Sequence, residues 1–121
     1  MVTLTYASEP MSAPRFQPRR YTDEPQVFGK ARNITWRVAG SDHDATQLVA
    51  SQMQHDYAVA IRYAIADSPY RTVKGYAQAT GADYQRLSKV LRGEAIMRLE
   101  DIADAHRHLG VLLPRAGRAE E

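Results

Sequence analysis

A mainly α protein is predicted, with a helical domain over residues 41–113, an extended arm over 1–40 before it and a short tail over 114–121. Three observations predict this. The apolar period changes at Asp42 from two to between three and four residues. Capping residues and glycine stops punctuate the chain from Ser41 to Gly110. Four of the six prolines, Pro10, Pro14, Pro18 and Pro25, fall in the first 40 residues, where a packed helix cannot hold them.

Within the arm, one or two short β-strands are expected. Val2, Leu4 and Tyr6 alternate with Thr3 and Thr5, and Ile34, Trp36 and Val38 alternate with Thr35 and Arg37. A two-stranded ribbon is marginal in water, so it must pack on the helices or on a second subunit. Tyr21, Phe28 and Trp36 likewise need a surface, which the chain's own helices, a second copy or another protein would supply. Arg15, Arg19 and Arg20 add positive charge to the arm.

A long first helix follows from Asp42 to the Ser68-Pro69 stop, capped by Ser41, Asp42 or Asp44. Leu48/Val49, Met53, Tyr57, Ile61 and Ala64/Ile65 form its apolar stripe. At roughly 24 residues it is about twice the average helix length, so its first half can extend past the core and serve a partner. Thr72 caps a short helix that ends near Thr80, and Gly81 turns the chain. Asp83 caps the next helix, Tyr84 to Leu91, closed by Gly93. The last helix runs from Arg98 to Leu109, with Leu99, Ile102, Ala103, Ala105/His106 and Leu109 facing inward and Gly110 stopping it.

Composition narrows the function. Of the residues, 44% are hydrophobic and 25% charged, an ordinary soluble balance, and no apolar run reaches the ~18 residues of a membrane span. The opening MVTLTYASEP lacks a basic n-region, so no signal peptide is read there and a cytoplasmic protein is expected. Without cysteine there is no disulfide, no thiol nucleophile and no cysteine-bound zinc. His106 and His108 diverge on a helix, and His43 and His55 lack partners at ligand spacing, so no metal is expected and capping or surface roles are assigned to them. Glu100, Asp101 and Asp104 suit a solvated helix start. No nucleophile elbow, phosphate loop or Gly-rich fingerprint occurs, so neither an enzyme nor a cofactor is expected.

The net charge of +2 is unevenly spread. Residues 71–99 hold six cations (Arg71, Lys74, Arg86, Lys89, Arg92, Arg98) against Asp83 and Glu94. Such a local excess suits phosphate groups.

That excess coincides with the stretch TVKGYAQATGADYQRLSKVLRG. Two helices joined by a sharp turn need a small residue at closest approach (Ala77), a left-handed turn residue (Gly81) and apolar locks (Tyr76, Ala82, Leu87, Val90). The pattern Thr72, Tyr76-Ala77, Gly81, Ala82, Asp83, Leu87-Ser88, Gly93 resembles the Cro/CI (XRE-like) helix-turn-helix of phage and bacterial repressors. RLEDIADAHRHLGV also resembles that family's fourth helix, and nothing before residue 41 is similar. Val73 and Leu91 depart from the family, which often has Gln and an acidic residue there, and Gly75 interrupts a helix.

The resemblance implies a lambda-repressor-like helical domain that binds double-stranded DNA as a homodimeric repressor, pairing through the arm or the first helix. Carried over residue by residue, it implies base contacts from Tyr84, Gln85, Ser88 and Lys89. Phosphate contacts fall to Thr72, Lys74, Arg86, Arg92 and Arg98. A protein-interaction module such as an antitoxin or adaptor is the alternative, with the aromatic arm and the long helix as its surfaces. RNA binding ranks below both, because no sheet carries stacking aromatics.

Overall fold

The structure, a computed structural model, describes residues 16–111. The Val2–Tyr6 alternation, Arg15, Leu112, Leu113 and the 114–121 tail lie outside them. Four α-helices are described: α1 (Asp42–Ala66), α2 (Val73–Thr80), α3 (Tyr84–Leu91) and α4 (Leu99–Leu109).

Each start has a chemical reason. Ser41 accepts a hydrogen bond from the Asp44 N–H, Thr72 from Gly75 and Asp83 from Arg86, which are three side-chain N-caps. At α4 the Asp101 carboxylate reaches back to the Arg98 N–H at 2.8 Å. Gly81 ends α2 at φ +80, the left-handed conformation its position in the turn demands.

The core gathers Ala58, Ile61 and Ile65 of α1, Tyr76 and Ala77 of α2, Leu87 and Leu91 of α3, and Ala105 of α4, closed by Val111. The α1 stripe is thus buried only in its second half. Val49 and Met53 are 53% and 52% exposed, so the first half stands clear of the helical core. Leu99, expected to face inward, is 81% exposed, because α4 starts with it and only Ala105 is fully enclosed on that helix.

Gly75 has a steric reason to sit inside α2. A Cβ there would lie 2.6 Å from the carbonyl oxygen of Tyr70, so the helix can approach the preceding turn only without a side chain. The loss of about 1 kcal/mol in helix propensity is the cost of that approach.

The described part of the arm folds onto α1. Pro18–Tyr21 and Pro25–Val27 form two 3-10 turns, and the first packs against α1. Phe28 is 1% exposed, with its ring edge-on to His55 and Trp36. The chain's own helix therefore supplies the surface that these aromatics need. The strand expected over 34–38 does not form. Trp36 makes one antiparallel bridge to Thr22, flanked by Asp23 N–H to Thr35 O and Arg37 N–H to Tyr21 O. The reason is local, since the two proline-led turns leave only residues 22–24 between them, too few for a ladder.

His55 corrects another expectation. It is 2% exposed rather than a surface or capping residue. Its Nδ1 accepts the Gly29 N–H at 2.9 Å, which places the ring proton on Nε2, 3.2 Å from the Arg32 carbonyl. One imidazole thus anchors both ends of the 29–32 turn to α1.

Candidate nucleic-acid interface

An α-helix turns through 3.6 residues, so positions 84, 85, 88, 89 and 92 share one side of α3. Leu87, Val90 and Leu91, on the other side, are buried. Tyr84, Gln85 and Lys89 are exposed, and Ser88 and Arg92 are half-buried. Lys89 belongs to none of the ion pairs among the described residues. The same holds for Lys74 and Arg98, both exposed.

The start of α2 adds a second polar element. With Thr72 as cap, the first-turn amides of Val73 and Lys74 have no partner inside the helix. Such an end attracts anions.

Two of the phosphate candidates are already engaged. Arg86 forms a two-point pair with Asp101, Nη1 to Oδ1 at 2.9 Å and Nη2 to Oδ2 at 2.7 Å. Arg92 donates through Nε to Glu94 at 2.7 Å and through Nη1 to the Ser88 hydroxyl. Glu94 also meets Arg19 at 3.4 Å, and the Arg19 N–H donates to the Gly93 carbonyl at 3.1 Å. The N-terminal segment is therefore stapled to the end of α3.

Asp101 is not the solvated helix-start carboxylate expected, since its side chain is only 10% exposed. Burial raises its pKa, but hydrogen bonds from Arg86 and the Arg98 amide outweigh that and hold it below the ordinary aspartate value. Glu94 is held low first by the Arg92 hydrogen bond, with Arg19 adding its charge. Tyr76 moves the other way. Burial, helped by the Asp104 charge, pushes it up to about 12, and its hydroxyl has no hydrogen-bond partner.

The Asp101 shift fixes the sign of a pH effect. A lowered folded value means that the Arg86 pair contributes fully above the unfolded aspartate pKa, about 3.9, and fades as pH falls through the folded value. Asp101→Asn is expected to melt below wild type at pH 7, with the gap closing below about pH 4. Thermal melts between pH 7 and pH 3 check this, and a constant gap would refute it.

Two residues that position α3 carry no local sequence signal. Gln54 of α1, 6% exposed, donates to the Val90 and Ala95 carbonyls at 2.9 and 2.8 Å and accepts the Met97 N–H at 2.8 Å. Asp101 is the other, orienting Arg86 across α3 and α4. Both act over 15 residues or more.

Among the described residues no cluster of His, Asp or Glu could hold a metal, and no helix is long and apolar enough to cross a membrane. No family model, curated protein or solved structure matches the chain.

Proposed function

We propose that this protein is a sequence-specific double-stranded DNA-binding regulator, acting as a repressor of the Cro/CI (XRE-like) kind, with α3 in the major groove. The observation that carries the reading is the exposed side of α3, where Gln85 and Lys89 project opposite the buried Leu87, Val90 and Leu91. Gln85 offers a two-ended amide to adenine and Lys89 a donor to guanine O6/N7, and Tyr84 reaches a thymine methyl or a phosphate. Lys74, Arg98 and the α2 amides hold backbone phosphates and set the register. Ser88 and Arg92 meet DNA as a hydrogen-bonded unit, and Arg86 serves chiefly to orient α3 against α4.

A homodimer doubles the contact surface, and half-sites one helical turn apart then follow from its two-fold symmetry. Val49 and Met53, on the flank of α1 that the arm leaves exposed, favour pairing there. The same patch is what an adaptor or antitoxin would use, which keeps that second reading in view.

Selecting bound duplexes from a random pool tests the function, and a palindromic consensus is the expected result. Gln85→Ala and Lys89→Ala should each cost ~1–3 kcal/mol on the selected site, whereas Lys74→Ala should weaken all duplexes alike. Equal losses on selected and random DNA for Gln85→Ala would remove its base-reading role.

A further inference from the structure

Two open clefts lie side by side on the described part of the arm, and Gln17, Arg20 and Arg37 line both. The bridge between Thr22 and Trp36 brings the two arginines together. Beside it the Arg37 N–H donates to the Tyr21 carbonyl at 2.9 Å, which sets residue 37 against residues 20 and 21. The clefts measure about 510 and 540 Å³, each within the ~300–1,000 Å³ of small-molecule sites.

Their linings differ in charge. The smaller cleft is completed by Arg19, Thr22, Pro25 and Gln26, so three guanidiniums line it and, among the described residues, no carboxylate does. Arg20 joins none of the ion pairs among the described residues, and its Nε donates to Gln17 at 3.3 Å. Arg37 meets Asp23 at 3.6 Å through Nε, and Arg19 meets Glu94 at 3.4 Å through Nη1. A guanidinium carries five N–H donors, so each of the three keeps some for a ligand.

The larger cleft has an aromatic and aliphatic wall of Phe16, Tyr21, Val38 and Ala39, with Asp44 and Gln47 of α1 adding acceptor oxygens. The Tyr21 hydroxyl has one proton for two acceptors, Gln47 at 2.6 Å and Asp44 at 3.3 Å, which leaves acceptor capacity for a donor in the cleft. The Asp44 carboxylate also repels an anion here, whereas the arginines of the adjoining cleft attract one.

We propose that the paired clefts bind a nucleotide-sized phosphorylated ligand, with its phosphate among Arg19, Arg20 and Arg37 and its planar base against Phe16 and Tyr21. Guanidinium forks match phosphate oxygens at two points each, aromatic rings stack on a base, and Asp44 accepts from the base's N–H edge. The backbone of a duplex offers the same phosphate chemistry, but it keeps its bases stacked inside and has nothing to fill the aromatic cleft. The free nucleotide therefore fits both halves. This site goes beyond the DNA-binding reading and does not depend on it.

The test titrates adenosine and guanosine monophosphate into the full chain by calorimetry, with adenosine, ribose 5-phosphate and inorganic phosphate probing the two halves separately. Saturable binding of at least one nucleotide is expected, about tenfold or more tighter than any of the three fragments. Arg20→Gln and Arg37→Gln alter exposed side chains, so both should melt with wild type, and each should weaken the nucleotide about tenfold. Phe16→Ala should lower the nucleotide to the affinity of ribose 5-phosphate. No saturable binding of either nucleotide by wild type overturns the site, as does binding that both arginine variants leave unchanged. Equal affinity for nucleotide and inorganic phosphate removes the base from the aromatic cleft and overturns the nucleotide assignment. A random-sequence duplex, titrated in parallel, separates the two sources of phosphate. Weakened duplex binding in the arginine variants, with no nucleotide bound by wild type, gives these guanidiniums to a nucleic-acid backbone and refutes the ligand site.

Discussion

Gly29→Ala is expected to destabilise the fold by about 3–5 kcal/mol and to lower Tm by on the order of 15 °C. Two costs combine. Gly29 sits at φ +76, where an L side chain is strained by roughly 1–2 kcal/mol. The added Cβ would also overlap the Leu91 carbonyl oxygen and fall 3.0 Å from the Ala58 Cβ, in a junction walled chiefly by backbone rather than by movable side chains. Gly81→Ala is the control, because that residue has φ +80 and nothing within 4 Å of an added methyl, so only the conformational cost applies. Thermal melts of the two variants separate strain from overlap. Equal losses would show that the junction yields freely. Under the DNA-binding reading, because the turn at Gly29 abuts the end of α3, Gly29→Ala should also weaken duplex binding, and Gly81→Ala much less.

The contrast between these two glycines also marks how far the sequence could be read. Gly81 announces itself, since it follows a helix period, precedes a capping Asp83 and needs nothing beyond its neighbours to explain it. The helix starts at Ser41, Thr72 and Asp83, the buried faces of α2 and α3, and the exposed Tyr84, Gln85 and Lys89 are legible for the same reason: caps and periods are local. Gly29 lies in a stretch whose texture suggests an extended arm, and its requirement comes from Leu91, far along the chain. Likewise the Ile34–Val38 alternation is genuine, but whether it pairs depends on the proline-led turns opposite.

The candidate interface divides along the same line. Charge and helical spacing identify which cations share a region. They do not identify which are already neutralised. Arg86 and Lys89 look equivalent in sequence, three residues apart on one helix. Asp101 on α4 closes on Arg86 and leaves Lys89 to solvent, a distinction made by the α3–α4 crossing.

Gln54→Leu should cost about 3 kcal/mol or more, through what it leaves behind. Leucine removes one amide and strands two backbone groups, the Ala95 carbonyl and the Met97 N–H, while the Val90 carbonyl loses one of its donors and keeps the Gly93 N–H. An unsatisfied buried group costs ~1–3 kcal/mol, and the apolar gain from leucine offsets only part of that. The affected backbone is the 92–98 loop, which carries Arg92 and Arg98. Under the DNA-binding reading, the substitution should therefore weaken selected and random duplexes alike, because it loosens backbone contacts rather than base contacts. Gln54→Glu sharpens the test. It keeps the shape but turns a carboxylate oxygen toward two carbonyls, so the folded state favours the protonated acid. A raised folded pKa means that the folded protein binds more protons than the unfolded chain, and this variant must gain stability relative to wild type as pH falls toward about 4. Melts of wild type, Gln54→Leu and Gln54→Glu at pH 7 and pH 4.5 decide it. If Gln54→Leu melts with wild type, water satisfies the loop and Gln54 does not hold α3 in place; if Gln54→Glu shows no recovery at low pH, its carboxylate has swung away from the two carbonyls and the clamp is looser than its three short hydrogen bonds imply.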